Sequence, residues 1–269
     1  MTEPVSSRPI VLLRGLVREQ RHWGEFKQQL QRRYPERAVL SFDVPGNGQL
    51  YHLSSAWQIA KLRQSLRVQL RLCQVEIKQL DLLAISMGGM LALDWARAYP
   101  EEVRSLTLLN PSNAAFSPFY QRLNYRNYFK LLGCLFASTR ASRERRIMQL
   151  SSSFPERHQT VLASWIGWAE QCPVSVANAF KQLVAAATFK LEQAPSVPLL
   201  LLASRRDQLV SVRCSQAMAQ AWGCGLKVHP RAGHDLALDA PNWTCQQIAR
   251  WFASLEEQAN KHEVTQRDG

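Results

Sequence analysis

The sequence predicts an α/β fold, with a mostly parallel open sheet flanked by helices and an inserted all-helical segment. Short apolar runs, typical of strands buried on both faces, alternate with longer segments whose apolar residues recur at helical spacing. Strands separated by helices form parallel βαβ units with right-handed crossovers. The alternation breaks between Phe116 and Lys190, where no strand pattern occurs.

Six strands are predicted at the apolar runs Ile10–Leu13, Ala38–Phe42, Leu80–Ile85, Val103–Leu109, Val197–Ala203 and Leu226–Val228. Helical spacing predicts helices around Trp23 to Leu30, over Trp57–Leu72 and around Leu91 to Ala98. Pro100 ends the third of these, because the residue before a proline avoids the helical conformation. A last amphipathic helix contains the residues from Ile248 to Leu255.

Between Phe116 and Lys190 the pattern predicts four helices, over Pro118–Leu132, Arg143–Leu150, Pro155–Glu170 and Pro173–Phe189. Three of them begin with proline, which suits the first helical turn. Because the strand–helix rhythm resumes at Val197, this block is an insertion into one sheet. We therefore expect a core of residues 9–115 and 195–257, a helical cap over 116–194 and a polar tail over 258–269.

The composition is that of an ordinary globular protein: 46% of the 269 residues are hydrophobic and 20% are charged. The densest apolar runs are much shorter than the ~20 residues that a membrane span requires. The polar segment Met1–Arg8 has no signal-peptide pattern, and the six cysteines show neither CxxC nor zinc-ligand spacing. These features predict a cytoplasmic protein with reduced thiols and without metal or cofactor.

The strongest chemical motif is Ala84-Ile85-Ser86-Met87-Gly88-Gly89, which links an apolar strand directly to a helix. A serine at such a sharp turn requires small residues two positions before and after it, because the backbones approach closely there. The turn would display the Ser86 hydroxyl beyond the strand and direct the Met87 N–H at a developing oxyanion. Gly89 is expected to let the next helix pack tightly. The alternative is a glycine-rich turn in which the serine has no catalytic role.

A nucleophilic serine needs a base, and the base needs an acid that orients it. Asp207 and His234 each follow an apolar run, so each is predicted beyond the carboxyl end of a strand, as Ser86 is. The alternatives are a surface acid for Asp207 and a turn residue for His234. His229 precedes a proline and is interpreted as structural.

A second oxyanion donor is expected in the loop after the first strand. Gly15 lets the chain turn there, and the N–H of Leu16 is the candidate that would act with that of Met87. The alternative is an ordinary glycine at the end of a strand.

These segments resemble the α/β-hydrolase superfamily, in its group with a helical cap, over about residues 9–255. The resemblance rests on Leu13-Arg14-Gly15-Leu16 with Trp23, Asp43-Val44-Pro45-Gly46-Asn47-Gly48, Ser86-Met87-Gly88-Gly89, Asp207 and Gly233-His234. It implies a catalytic triad of Ser86, Asp207 and His234. It further implies an oxyanion hole of the Leu16 and Met87 amides, under a cap that shapes the pocket. Because the nucleophile is a serine, dehalogenase and epoxide hydrolase chemistry are not expected.

The sequence departs from the superfamily pattern at two positions. Ala84 stands where glycine is usual two residues before the nucleophile, and Arg14 stands where histidine is usual before Gly15. Arg14 is expected either to donate hydrogen bonds to loop carbonyls or to face the cleft and bind an anionic substrate. It is therefore a candidate substrate-binding residue.

The formal net charge is +12, and +7 of it lies between Phe116 and Lys190. This charge predicts either a solvated helical face or a docking surface for an acidic partner such as an acyl carrier protein. Tyr120, Tyr125, Tyr128 and Phe129 are interleaved with bases, a pattern also found in single-strand nucleic-acid binding. Their helical spacing favours a packing face instead, so nucleic acid is not expected.

The sequence thus predicts a serine hydrolase that cleaves a small-molecule carboxylic ester or thioester through an acyl-enzyme. One alternative is a C–C hydrolase or lyase that uses the same residues. Another is a non-catalytic binding module that uses the basic cap.

Overall fold

The computed structural model describes residues 8–73 and 79–267, and it has the predicted open α/β sheet. In this part of the chain six parallel strands follow the order β2-β1-β3-β4-β5-β6. They are β1 (Ile10–Leu13), β2 (Val39–Ser41), β3 (Leu80–Ile85), β4 (Val103–Leu109), β5 (Leu199–Ser204) and β6 (Gly225–His229). All carboxyl ends therefore meet at one edge of the sheet, where open α/β sheets place their sites.

The helices of the described residues are α1 (Gly24–Arg33), α2 (Ile59–Leu72), α3 (Met87–Ala98), α4 (Phe119–Arg122), α5 (Tyr128–Leu135), α6 (Arg140–Ser151), α7 (Gln159–Gln171), α8 (Val176–Thr188), α9 (Val212–Trp222), α10 (Leu236–Asp239) and α11 (Pro241–Arg267). The sequence analysis assigned no helix to α9, which connects β5 to β6. Helix α11 continues to Arg267, beyond residue 258, where the polar tail was predicted to begin.

The core consists of two apolar layers, one on each face of the sheet. Successive residues of a strand pack into opposite layers: Leu82 packs with α2 and α3, whereas Leu83 packs with α1 and α11. Because both faces are covered, the strands are continuous apolar runs rather than alternating ones. Complete burial of each such side chain contributes about 1.5–3 kcal/mol.

Helices α4–α8 form a helical insertion between β4 and β5, with a small apolar cluster around Trp165. The predicted single helix Pro118–Leu132 is wrong, because the chain leaves the helix after α4 and re-enters it at α5. In the gap, the Asn124 N–H donates to the Leu209 carbonyl over 2.8 Å. The Asn127 side-chain amide donates to the Gln208 carbonyl over 2.7 Å. Bonds to the loop after β5 thus replace helical ones.

The predicted packing face of these helices is also wrong for three aromatic residues. Tyr120, Tyr125 and Phe129 are 53%, 55% and 89% exposed. Their spacing fits one stripe only on a continuous helix, and the break between α4 and α5 removes that continuity.

Within the described ranges, none of the helices is long and apolar enough to cross a bilayer. The six cysteines are all free thiols. The cytoplasmic prediction depends partly on the polar segment Met1–Arg8. Residues 1–7 of that segment lie outside the described residues.

Candidate active site

Ser86 lies in the sharp turn between β3 and α3, at φ 57° and ψ −123°. A positive φ in a residue with a side chain costs on the order of 1–3 kcal/mol, so the surroundings must hold it. The Ser86 N–H donates to the Leu109 carbonyl over 3.0 Å, and its carbonyl accepts from the Gly89 N–H over 2.9 Å. These bonds anchor the turn to the neighbouring strand and to the first turn of α3.

Gly88 is the glycine that this turn requires. A Cβ at this position would lie 2.7 Å from the Arg14 carbonyl oxygen, so the start of α3 abuts the end of β1 without room for a side chain. Gly89 is different, since its Cβ would meet neighbours only at ordinary distances of 3.6 Å or more. The expectation that Gly89 permits tight packing of α3 is therefore wrong.

His234 and Asp207 are in direct contact at the carboxyl edge of the sheet. The Nδ1 atom of His234 lies 2.7 Å from Oδ2 of Asp207. The other carboxylate oxygen accepts the N–H groups of Leu209 and Val210 over 2.7 and 2.9 Å. A carboxylate only accepts hydrogen bonds, so the Nδ1 atom of His234 is the donor, and Nε2 is the ring nitrogen that can act on the Ser86 side of the pocket.

The loop that carries His234 is fastened to the helical insertion through a buried carboxylate, that of Asp239. One Asp239 oxygen accepts the N–H groups of Gly233 and Ser153 over 2.7 and 2.8 Å. The other accepts from the Ser152 hydroxyl and contacts Nε2 of His158. These contacts fix the backbone next to His234 to the end of α6.

Ser86 and His234 line one pocket between the sheet edge and the helical insertion, together with Leu16 and Met87. The insertion contributes mainly apolar side chains to its walls, among them Leu123, Leu131, Ile147, Leu150 and Leu183. The structure thus brings Ser86 and His234 to one cavity, with Asp207 behind the histidine. Their catalytic roles stay predictions.

Both predicted oxyanion donors also lie at this pocket. Met87 is the first residue of α3, so its N–H has no acceptor within the helix. A Cβ on Gly15 would be 3.0 Å from the Ser86 Cβ, which places the loop after β1 directly against the serine. Among the described residues no acceptor is found for the Leu16 N–H.

A buried amide network, which the sequence analysis missed, holds this loop. Val17 has a positive φ of 53°, and its N–H donates to Oε1 of Gln182 on α8 over 3.0 Å. The Gln182 amide donates to Asn47 over 2.7 Å, and the Asn47 amide donates to the Arg18 carbonyl over 2.8 Å. Asn47 is part of the motif Asp43-Val44-Pro45-Gly46-Asn47-Gly48. The one sequence signal for Gln182 was that it is a polar residue within an apolar helix.

Arg14 lines the pocket, but its bonds differ from the expected ones. It pairs with Asp235, with Nη2 2.5 Å from Oδ2 and Nη1 3.4 Å from Oδ1, and its guanidinium covers the Trp23 ring. The expected hydrogen bonds to loop carbonyls are not found among the described residues. The carboxylate is preferred because it neutralises a buried cation. Arg14 therefore ties the first loop to the residue after His234.

A second buried arginine, Arg18, lies deeper in the same wall. Its Nη1 lies 2.7 Å from Oε2 of Glu144 and 2.9 Å from Nε2 of His22, and it stacks on Trp165. Burial lowers the pKa of His22 well below its ordinary value, and the charges of Arg18 and Arg14 act in the same direction. His22 is therefore neutral at physiological pH.

In the part of the chain that the structure describes, no group of three or more histidine, cysteine, aspartate or glutamate side chains could hold a metal ion. The prediction that the chemistry needs no cofactor rests on the sequence argument alone.

A protein-family model described as alpha/beta hydrolase fold matches residues 8–241. Among solved structures, an esterase from Thermogutta terrifontis is 19% identical, with a TM-score of 0.71 over 93% of this chain and 91% of that one. An enol-lactonase from Burkholderia xenovorans LB400 is 16% identical, with a TM-score of 0.75 over 92% of both chains.

A further solved structure, the 2-hydroxy-6-oxo-6-phenylhexa-2,4-dienoate hydrolase from Rhodococcus sp. strain RHA1, is 18% identical, with a TM-score of 0.71 over 93% of this chain and 92% of that one. No curated protein sequence matches. At these identities the similarity shows a shared fold, and function must be argued from the site.

Proposed function

We propose that this chain, which belongs to the α/β-hydrolase fold family, is a serine hydrolase that cleaves a carboxylic ester or thioester. One observation carries the proposal. Ser86 is held at a positive φ in a pocket that it shares with His234, whose Nδ1 is fixed by the buried Asp207. A strained serine that shares its pocket with an oriented imidazole is suited to nucleophilic catalysis.

In the proposed reaction, Nε2 of His234 takes the proton of the Ser86 hydroxyl while Oγ forms a bond to the substrate carbonyl carbon. The N–H groups of Leu16 and Met87 stabilise the oxyanion, and such a donor is typically worth about 10²–10³ in rate. The imidazolium, paired with Asp207, then protonates the leaving alkoxide or thiolate as its bond to carbon breaks. Water repeats the sequence on the acyl-enzyme and releases the acid.

The geometry supports this function better than a binding role for Ser86. A positive φ at serine costs free energy, and an ordinary loop without a catalytic role would avoid this cost. C–C bond hydrolysis or lyase chemistry would use the same three side chains, so the experiment must separate the bond types.

The test is covalent labelling by a fluorophosphonate, followed by turnover of nitrophenyl esters and matched thioesters of increasing acyl length. The wild type should be labelled at Ser86 and should release nitrophenol with an acyl-enzyme burst. Ser86→Ala should not be labelled, whereas Ser153→Ala, a nearby serine whose backbone N–H bonds Asp239, should be labelled like the wild type. Labelling that survives Ser86→Ala, or a wild type inert toward every ester and thioester, would contradict the proposal.

The basic surface of the helical insertion supports an acidic carrier as the form in which a substrate arrives. The exposed bases there are Arg126, Lys130, Arg140, Arg145, Arg146, Arg157 and Lys190. An acyl carrier protein in the cytoplasm is the partner proposed for this surface, and free small esters remain the alternative substrates.

A further inference from the structure

Three arginines are among the residues that line the pocket: Arg14, Arg18 and Arg122. Two of them have carboxylate partners, since Arg14 pairs with Asp235 and Arg18 with Glu144. Arg122, on α4, has no carboxylate within ion-pair distance among the residues that the structure describes. The pocket wall therefore carries one positive charge that the described chain does not neutralise.

The side chain of Arg122 is nevertheless fixed and 8% exposed. Its Nη1 and Nη2 donate to the carbonyls of Ala187 and Ala186, over 2.8 and 2.5 Å, at the carboxyl end of α8. These carbonyls carry partial negative charge, which orients the guanidinium but offsets only part of its charge. Burial lowers the pKa of Arg122, so its surroundings disfavour the cation.

A buried cation without a counter-charge is costly, so the proteins that keep one usually pair it with an anion. Because Arg122 lines a pocket and lacks a carboxylate partner among the described residues, the pocket is suited to an anionic ligand.

We infer that the pocket binds substrates whose acyl chain ends in a carboxylate, and that Arg122 pairs with this carboxylate. The inference rests on the proposed function, because it places the reacting carbonyl at Ser86. Much of the pocket wall is apolar, and Leu123, Leu183 and Val210 are available there to contact an aliphatic chain. The substrate class is therefore an ester or thioester of an aliphatic dicarboxylic acid with one free carboxylate.

Steady-state kinetics on matched substrates test this assignment. Methyl half-esters of dicarboxylic acids are compared with methyl esters of monocarboxylic acids of the same length, and the ratio of their kcat/KM values measures charge recognition. The wild type should prefer the half-ester by about tenfold or more at one optimal chain length. In Arg122→Gln the ratio should fall about tenfold or more, to about one, because the partner of the substrate carboxylate is lost.

Two further variants keep the test decisive. Arg213→Gln removes an exposed arginine from α9, outside the pocket and the helical insertion, so it should leave the ratio at the wild-type value. Arg122→Lys retains the charge, so it should keep part of the preference even if the glutamine variant folds poorly. A wild-type ratio near one, or a ratio that Arg122→Gln leaves unchanged, would overturn the inference.

Calorimetry of binding separates this inference from the proposed function. Aliphatic dicarboxylates should bind the wild type at least tenfold more tightly than monocarboxylates of equal length, and Arg122→Gln should abolish the difference. This result requires no turnover, so it stands even if no ester is hydrolysed. Equal binding of both acids, together with normal ester hydrolysis, would refute carboxylate recognition and leave the hydrolase proposal intact.

Discussion

At the scale of single residues, the candidate site depends on places where a side chain is forbidden or strained. Ser86 adopts a positive φ, Gly88 has no space for a Cβ, and Gly15 lies against the serine. These demands come from the close approach of β1, β3 and the start of α3. They are local enough that the small residues around Ser86 could be recognised in the sequence.

The first prediction concerns the proposed nucleophile and base. Ser86→Ala and His234→Ala should each lower turnover of a nitrophenyl ester by about 10⁴ or more, and the double variant should be little worse. The reason is that the two side chains act as one unit, so the first loss removes the function of the second. Additive losses, or appreciable turnover by Ser86→Ala, would contradict the assigned roles.

The second prediction compares neighbouring glycines. Gly88→Ala should destabilise the fold by more than about 2 kcal/mol, because its Cβ would overlap the backbone at the end of β1. Gly89→Ala should change stability by less than ~1 kcal/mol, since it adds ordinary contacts within a helix. Urea unfolding of both variants provides the comparison, and equal losses would show that the backbone approach is not the cause.

At the scale of elements, the helical insertion holds three loops of the candidate site: those that follow β1, carry Asp207 and carry His234. Helix α8 binds the loop after β1 through Gln182, and the α4–α5 break binds the loop of Asp207. The end of α6 binds the loop of His234, where the Asp235 N–H donates to the Ser151 carbonyl over 2.8 Å. The insertion therefore holds these loops in position and also forms part of the pocket wall.

The third prediction tests Gln182 as a positioning residue for the loop after β1, which carries the proposed oxyanion donor Leu16. Gln182→Met removes the acceptor for the Val17 N–H, so the loop should leave its strained conformation. We expect kcat to fall about tenfold or more with little change in KM, because the Leu16 donor acts mainly in the transition state. Gln182→Glu retains an acceptor and should recover part of kcat.

Lys181→Met, the adjacent change on α8, is the matched control and should retain wild-type kcat. Thermal unfolding of each variant separates loss of position from loss of fold. An unchanged kcat in Gln182→Met would remove Gln182 from the machinery.

The fourth prediction concerns the packing of His22 against α7. Its ring contacts Trp165 and Trp168, at centroid distances of 5.1 and 5.3 Å, and its side chain is 5% exposed. Burial lowers its pKa in the folded state, so below about pH 6.5 the unfolded chain binds a proton that the folded chain does not. The free energy of unfolding should therefore fall as the pH drops below 6.5, by up to about 1.4 kcal/mol per pH unit.

Urea unfolding of wild type and His22→Gln between pH 5 and 7 measures this contribution as a difference in slope. The comparison is needed because neighbouring Glu19 acts with the opposite sign, since burial raises its pKa. Parallel curves for the two proteins would show that His22 is not the titrating group.

At the scale of the whole molecule, charge is distributed unevenly. The net charge is +12, and the buried arginines Arg14 and Arg18 are neutralised by carboxylates, so the excess lies largely on exposed side chains. Several of these belong to the helical insertion, including Arg140 and Arg145. Such a field influences encounter with partners rather than folding.

The fifth prediction separates a carrier-bound substrate from a free one. If the basic insertion steers an acidic carrier, kcat/KM for an acyl thioester on acyl carrier protein should fall steeply between 0.1 and 1 M salt, because the Debye length shrinks from about 10 to about 3 Å. A small neutral ester should show almost no change. Arg145→Glu should slow the carrier-bound reaction alone, whereas Arg32→Glu, the same reversal on α1, should not.

If kcat/KM for the carrier-bound substrate did not change with salt, the basic residues of the insertion would be only a solvated surface. The enzyme would then act on free small molecules. The measurement is independent of the triad, because a surface charge changes association and leaves the chemical barrier unaltered.

Much of the architecture could be predicted from the sequence. The bounds of β1, β3 and β4 agree with the predicted ones, and the other strands differ by at most two residues at either end. Buried parallel strands are continuous apolar runs between helical segments, so their pattern is unambiguous. Ser86, Asp207 and His234 could be selected because each follows such a run.

The sequence by itself determined the sheet, the helical insertion and the sharp turn at Ser86, because apolar periodicity and the need for small residues are local properties of the chain. Only the tertiary structure decided the break between α4 and α5, the ion pair of Arg14 with Asp235 and the bond that the Val17 N–H in the loop after β1 donates to Gln182. The physical reason is distance along the chain. These contacts join residues separated by more than 80 positions, and no local pattern encodes which buried polar groups will meet.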